Sequence, residues 1–188
     1  MSNTTFTEKA TSNTNMMNEQ DSLSINTPAA IKFRKDMLSW FKQRLFLFTT
    51  LPSAWFMGVR IKSIDTQSCT VTLPYKWASQ NPFKSIYFAA QAAAAELSTG
   101  ALAMAAIQGQ PPISMSVADM RAEFIKKGTK LTSFVCTDAH KIYAAIAQTL
   151  KTGEGVTVTV ESIGTQQDGT IISKFYFTWT LKAKVKKQ

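Results

Sequence analysis

An asparagine and a glutamate fifteen residues apart, Asn81 and Glu96, frame the stretch of this sequence best suited to chemistry, NPFKSIYFAAQAAAAELSTGALAMAAI at 81–107. Glu96 is the only charge within the run from Tyr87 to Ile107. A carboxylate held among alanines loses hydration, which lifts its pKa toward neutrality and suits it to proton transfer. The alternative is a structural ion pair, for which Arg121 is the candidate. Asn81 precedes Pro82 and fits a turn equally well; its spacing to Glu96 is what singles it out.

An element must hold these groups. Asn81-Pro82 reads as a polar turn and Ser85 as the N-cap of a helix that meets no breaker before Gly109. Ten alanines lie between Ala89 and Ala106, and alanine is the best helix former. From Ser85 to Ile107 such a helix is about 35 Å long. It is apolar on every side, so it is expected to be buried all round. A membrane span of this length is disfavoured by Gln91, Glu96, Ser98 and Thr99 at its centre, where one acid alone costs about 3 kcal/mol.

Around it the period is mostly that of strands. Residues 1–27 lack apolar periodicity and read as a flexible tail. Thr27-Pro28 opens an amphipathic helix over 28–49. Its stripe of Ile31, Met37, Leu38, Phe41, Leu45 and Phe48 is expected to pack on its own domain, with contact to a membrane surface as the alternative. Strands are predicted at 55–62 and 69–74, turning near Asp65, Thr66 and Gln67. After the long helix come strands at 114–125 and 131–137, a short helix at 138–150, and strands from Val156 and from Ile171 to Val185 about an Asp168-Gly169 turn. The last strand, about 50 Å if straight, must curve and twist. An α+β fold follows, in which an antiparallel sheet wraps one long helix.

That order, and the start of the helix, resemble the hotdog-fold acyl-CoA thioesterase superfamily. Many of its members carry an asparagine, a His-Gly-Gly beginning six positions later and an acid fifteen positions after the asparagine. Here Asn81 is followed at those offsets by Tyr87-Phe88-Ala89 and by Glu96. The strand Ala118-Asp119-Met120-Arg121-Ala122-Glu123-Phe124 and the Gly128 turn also look like the family's. The similarity covers about residues 52–185, and the chain is most similar to the DUF4442-like branch. It implies one hotdog domain over 28–188 with an extra N-terminal helix. It implies hydrolysis of an acyl thioester, with Glu96 as general base or nucleophile and Asn81 orienting water or the carbonyl. Tyr87, Phe88 and Ala89 would bind the oxyanion through helix N-terminal N–H groups. Phe88 and Ala89 stand where the family has glycines, which keeps the backbone donors and narrows access. Coenzyme A would enter only as part of the substrate, its phosphates met by Arg121, Lys126 and Lys127. No cofactor and no metal are implied.

Since Phe88 N–H and Glu96 lie about 12 Å apart along one helix, a homodimer, or a tetramer built from dimers, is expected. The net charge of +9 raises nucleic acid as a partner, but there is no RNA-binding signature, zinc spacing or arginine-rich arm. Non-catalytic acyl-chain or lipid binding is the nearer alternative. Cys69 and Cys136 read as buried thiols and His140 as a surface residue. The N-terminus lacks a signal peptide's apolar segment, and no transmembrane segment is expected, so the cytoplasm is the simplest compartment.

Overall fold

Small side chains decide the centre of the molecule. The computed structural model describes residues 25–184, and its longest helix, which carries the alanine run, lies at 88–107. Ala90, Ala94, Ala95, Ala101, Ala103 and Ala105 are buried there, letting neighbouring elements approach the helix backbone closely. In chain order the elements are α1 (Pro28–Leu38), α2 (Trp40–Thr50), α3 (Pro52–Met57), β1 (Arg60–Ile64), β2 (Cys69–Leu73), α4 (Phe88–Ile107), β3 (Ile113–Phe124), β4 (Thr132–Cys136), α5 (Ala139–Thr152), β5 (Val156–Gln166) and β6 (Ile171–Ala183). The strands form one sheet of order β1-β2-β4-β5-β6-β3, every neighbouring pair antiparallel. The curved sheet and its long helix make a hotdog fold.

Alternate residues of β6 face the core: Ser173, Phe175, Phe177, Trp179 and Leu181 are buried and the residues between them are not. Cys69 and Cys136 face each other across β2 and β4 as buried free thiols. Burial pushes the Cys136 thiol up to about 11 and raises Cys69 as well, so both are inert as nucleophiles. The hairpin at Asp65 forms: its Oδ1 accepts from the N–H of Gln67 at 2.7 Å and of Ser68 at 2.8 Å. Among the described residues no helix is long and apolar enough to cross a membrane. The expected tail lies outside the described residues apart from positions 25–27, and so does the expected end of the last strand at Val185.

Three expected element boundaries need correction, and so does one packed face. Ser85 does not cap the long helix, which starts at Phe88 with Tyr87 as its N-cap. Asn81 claims Ser85 instead, accepting from its N–H and its hydroxyl. The segment at 55–62 is not one strand. Pro52 starts α3 at the position proline favours, and Gly58, left-handed at φ +80°, ends it, so the strand begins only at Arg60. The helix over 28–49 is two helices, broken at extended Ser39. Buried Gln43 fits the break, its amide donating to the carbonyls of Met37 and Ile61. These helices dock through Ala30, Met37, Gln43 and Leu47, leaving Ile31, Leu38, Phe41, Leu45 and Phe48 exposed. Of the apolar stripe expected to pack inward, only Met37 is buried.

Candidate active site

The loop entering α4 is built by backbone polar groups seeking partners. Asn81 Oδ1 accepts from the Phe83 N–H at 3.0 Å, the Ser85 N–H at 3.2 Å and the Ser85 hydroxyl at 3.1 Å. Asn81 is thus the organiser of a tight turn. Ile86 N–H donates to the Gly128 carbonyl at 2.7 Å, and Tyr87 N–H to the Ser79 carbonyl at 2.8 Å. Glycine at 128 leaves room there: a Cβ would lie 2.7 Å from the Ile172 Cδ1, which would have to shift. So pinned, α4 begins with no side-chain cap. The N–H groups of Phe88, Ala89 and Ala90 have no acceptor within the helix and sit at its positive end.

Beside this end opens a cavity of about 500 Å³. Asn81, Tyr87, Phe88, Phe124, Lys126 and Lys127 are among its lining. Aromatic rings run inward from it: Tyr87 to Phe88 at 4.8 Å between centroids, Phe88 to Phe124 at 6.5 Å and Phe124 to buried Phe175 at 5.7 Å. Gln91 is buried at the cavity, donating to the Ile86 carbonyl at 3.2 Å and accepting from the Ser173 hydroxyl at 2.8 Å. Sequence reasoning missed Gln91 and Phe124 as site residues. A lone amide early in an apolar helix was the available signal for the first; Phe124 gave none beyond its place at the end of a strand. A second hollow, about 630 Å³, lies past the other end of α4 at Pro111, Pro112 and Gly153, and no carboxylate, histidine or cysteine lines it.

Glu96 lies elsewhere, on the one half-open line of α4. Ala89, Ala92, Ala93 and Glu96, at helical spacing, are only half-buried, so the helix is not enclosed all round as expected. Burial raises the Glu96 pKa above its ordinary value near 4.5. Among the described residues its carboxylate has no hydrogen bond and no ion pair. The ion pair considered with Arg121 does not form. Arg121 binds Glu123 at 2.7 Å and stacks 4.1 Å above the Tyr176 ring, on the sheet face opposite buried Phe175 and Phe177. The geometry therefore gathers Asn81, Tyr87, Phe88, Lys126 and Lys127, leaves Ala89 at the helix start, and sets Glu96 and Arg121 apart from them. Glu96 stands eight residues from Phe88, about 12 Å along the axis. The edge strand β3 exposes Val117, Met120 and Phe124.

The model of a domain of unknown function, DUF4442, matches residues 41–181, about three quarters of the chain. No curated protein matches the sequence. Solved structures of similar fold include a protein of unknown function from Chlorobaculum tepidum, 15% identical over 77% of this chain and 94% of its own, with a TM-score of 0.66. A probable thioesterase from Pseudomonas aeruginosa is 16% identical over 77% and 96%, with a TM-score of 0.63. A thioesterase from Haemophilus influenzae is 11% identical over 77% and 92%, with a TM-score of 0.57.

Proposed function

We propose that this chain, which belongs to the DUF4442 family, is an acyl-thioester hydrolase, with an acyl-CoA as its substrate, whose site is completed by a second copy. The observation that carries the reading is Glu96: a carboxyl made more basic by burial, without a counter-charge among the described residues, on the one open line of the central helix. The uncapped start of α4, beside an aromatic cavity, supplies the matching electrophile-binding end.

In the reaction the thioester oxygen lies at the Phe88 and Ala89 N–H groups. Glu96 carboxylate takes a proton from water as the water oxygen attacks the carbonyl carbon. Negative charge develops on the oxygen facing the helix start, where fixed donors stabilise it. Collapse breaks the C–S bond; the thiolate takes the proton from Glu96, and a free acid and a thiol leave. The aromatic wall takes the acyl chain. Lys126 and Lys127 meet phosphates of the thiol carrier, while Arg121 points to the outer face of its own chain. Asn81, with its Oδ1 engaged by three donors, acts by holding the loop.

One helix cannot bring Phe88 and Glu96 to one carbon. Two copies of α4 running antiparallel across a two-fold axis can, and pairing of their β3 edges would cover Val117 and Met120. The test is thiol release from a panel of acyl-CoAs. Glu96→Gln should lower turnover by about 10² or more with the fold retained. Phe88→Pro removes one N–H at a position that tolerates proline. Mixing it with Glu96→Gln subunits should restore activity; a fully active monomer would sink the proposal. A second reading, non-catalytic acyl-chain binding, is favoured by the bulk of Phe88, which is 54% exposed at the cavity where access is needed. It predicts binding of a fluorescent fatty acid and no thiol release.

A further inference from the structure

The apolar face that the N-terminal helices turn outward is the least expected surface of the molecule. Phe41, Leu45 and Phe48 sit at i, i+4 and i+7 of α2, on one side of the helix, and each is more than half exposed. Trp40, 66% exposed, stands at the α1–α2 corner beside Leu38, Arg60 and Lys62. Phe56 of α3 and Trp77 are exposed too and pack edge to face at 6.2 Å. Residues 28–62 hold seven basic side chains and one acid, so they carry +6 of the chain's net +9. That one acid, Asp36, is held by Lys32 at 2.8 Å and Lys42 at 2.5 Å.

We propose that this face docks on the surface of an anionic lipid bilayer. Short helices with one aromatic and aliphatic face and flanking cations lie in the interface plane, apolar side down, about 5–10 Å into the headgroup boundary. Tryptophan is suited to that depth, where its ring is apolar and its N–H meets water. Lysine and arginine stems can stretch toward lipid phosphates while their methylenes stay with the apolar surface. The charge selects this occupant over a second copy, because a second copy brings the same +6 to face it. The chain's own residues 1–24 offer Glu8, Glu19 and Asp21 but few large apolar side chains to cover the stripe. The face also lies at the β1 edge, where α1 packs, while the pairing proposed above uses β3 at the opposite edge of the sheet. Docking and pairing are therefore compatible in one assembly.

The experiment is co-sedimentation of the full chain with vesicles of phosphatidylcholine alone and of phosphatidylcholine with phosphatidylserine. Binding should favour the anionic vesicles by about tenfold or more and weaken as added salt screens the charges. Phe41→Ser combined with Leu45→Ser changes only exposed positions. It should leave the melting temperature unchanged and reduce vesicle binding by about tenfold or more. Lys35→Gln should reduce binding to anionic vesicles by about fivefold and leave the rest unchanged. No binding by the full chain would overturn the proposal, pointing to a face that is covered or inert. Binding that ignores the double substitution would overturn it too, as would a smaller sedimenting mass in that variant, which would assign the face to contact between copies. Thiol release from a short, soluble acyl-CoA should be the same in the double variant, so failure on vesicles leaves the hydrolase reading standing and the reverse also holds.

Discussion

The two halves of α4 have similar composition and opposite treatment. From Leu97 to Ala103 every residue is buried and each side-chain polar group is matched. The Ser98 hydroxyl meets that of Ser162 at 2.8 Å, and Thr99 Oγ1 accepts from the Trp179 indole at 3.0 Å. Beyond the helix end the Gln108 carbonyl accepts from the Thr27 hydroxyl at 2.7 Å, and Gly109 turns the chain away at φ +77°. The half from Phe88 to Glu96 starts without a side-chain cap, shows a half-open line of alanines and carries an acid with no partner among the described residues. A helix that closes one half inside the core and opens the other half to solvent points to the open half as the one that meets something else. The sheet supports the same asymmetry, since α1 and α4 pack on β1 while most of β3 is exposed among the described residues.

Three measurements can break or sharpen this contrast. Leu102→Ala empties a fully buried site in the closed half and should cost about 2–5 kcal/mol in urea unfolding. Phe88→Ala in the open half should cost about 1 kcal/mol or less. Equal costs would mean that the halves are packed alike. Thr27→Ala removes both the cap of α1, where Thr27 accepts from the Ala30 N–H at 3.0 Å, and the clasp on Gln108. A loss of about 1–2 kcal/mol is expected, and no loss would show that the helix end does not need its clasp.

Smallest in stability is Glu96→Gln, and here the sign matters. Burial raises the folded-state pKa above the ordinary value near 4.5. Between those two values the folded protein keeps a proton that the unfolded chain has lost, so stability falls as pH rises through that window and stays lower above it. The glutamine variant lacks this slope and should be as stable as the native protein, or more so, at neutral pH. Turnover of the native protein should rise through the same window, since the carboxylate is the working form. A variant that is less stable at neutral pH would show that Glu96 has a structural partner.

The fold was legible because its strongest signals are local and agree with each other. The alanine run, the alternation in β6 and the Asp168-Gly169 turn each specify one element, and the alternatives place those elements nowhere else. What misled was where local preference competes with a partner distant in space. Ser85 is a good cap by type, but Asn81 reaches it first. Trp55 and Phe56 favour strands, yet Pro52 and Gly58 bracket a helix, a signal that the sequence did contain. The open line of α4 was invisible, because alanine suits buried and half-open positions equally. Glu96 stood out for the same reason in reverse: a charge in an apolar helix is costly wherever it lies. The outward stripe of α2 was misread because periodicity tells which residues share a face and not whether that face meets protein.

The Thr27–Gln108 clasp joins residues 81 positions apart in the chain. On a ribosome adding about 5–20 residues per second, Gln108 is made about 4–16 s after Thr27. For that interval α1 and α2 exist without the helix end that Thr27 clasps, and side chains they bury in the fold, Met37 and Leu47, stay in water. Slowing translation between Pro52 and Gln108 would lengthen the exposure. The yield of correctly folded chain should therefore depend on synthesis rate, and the dependence should persist in the Phe41→Ser, Leu45→Ser variant, whose changed positions stay exposed after folding.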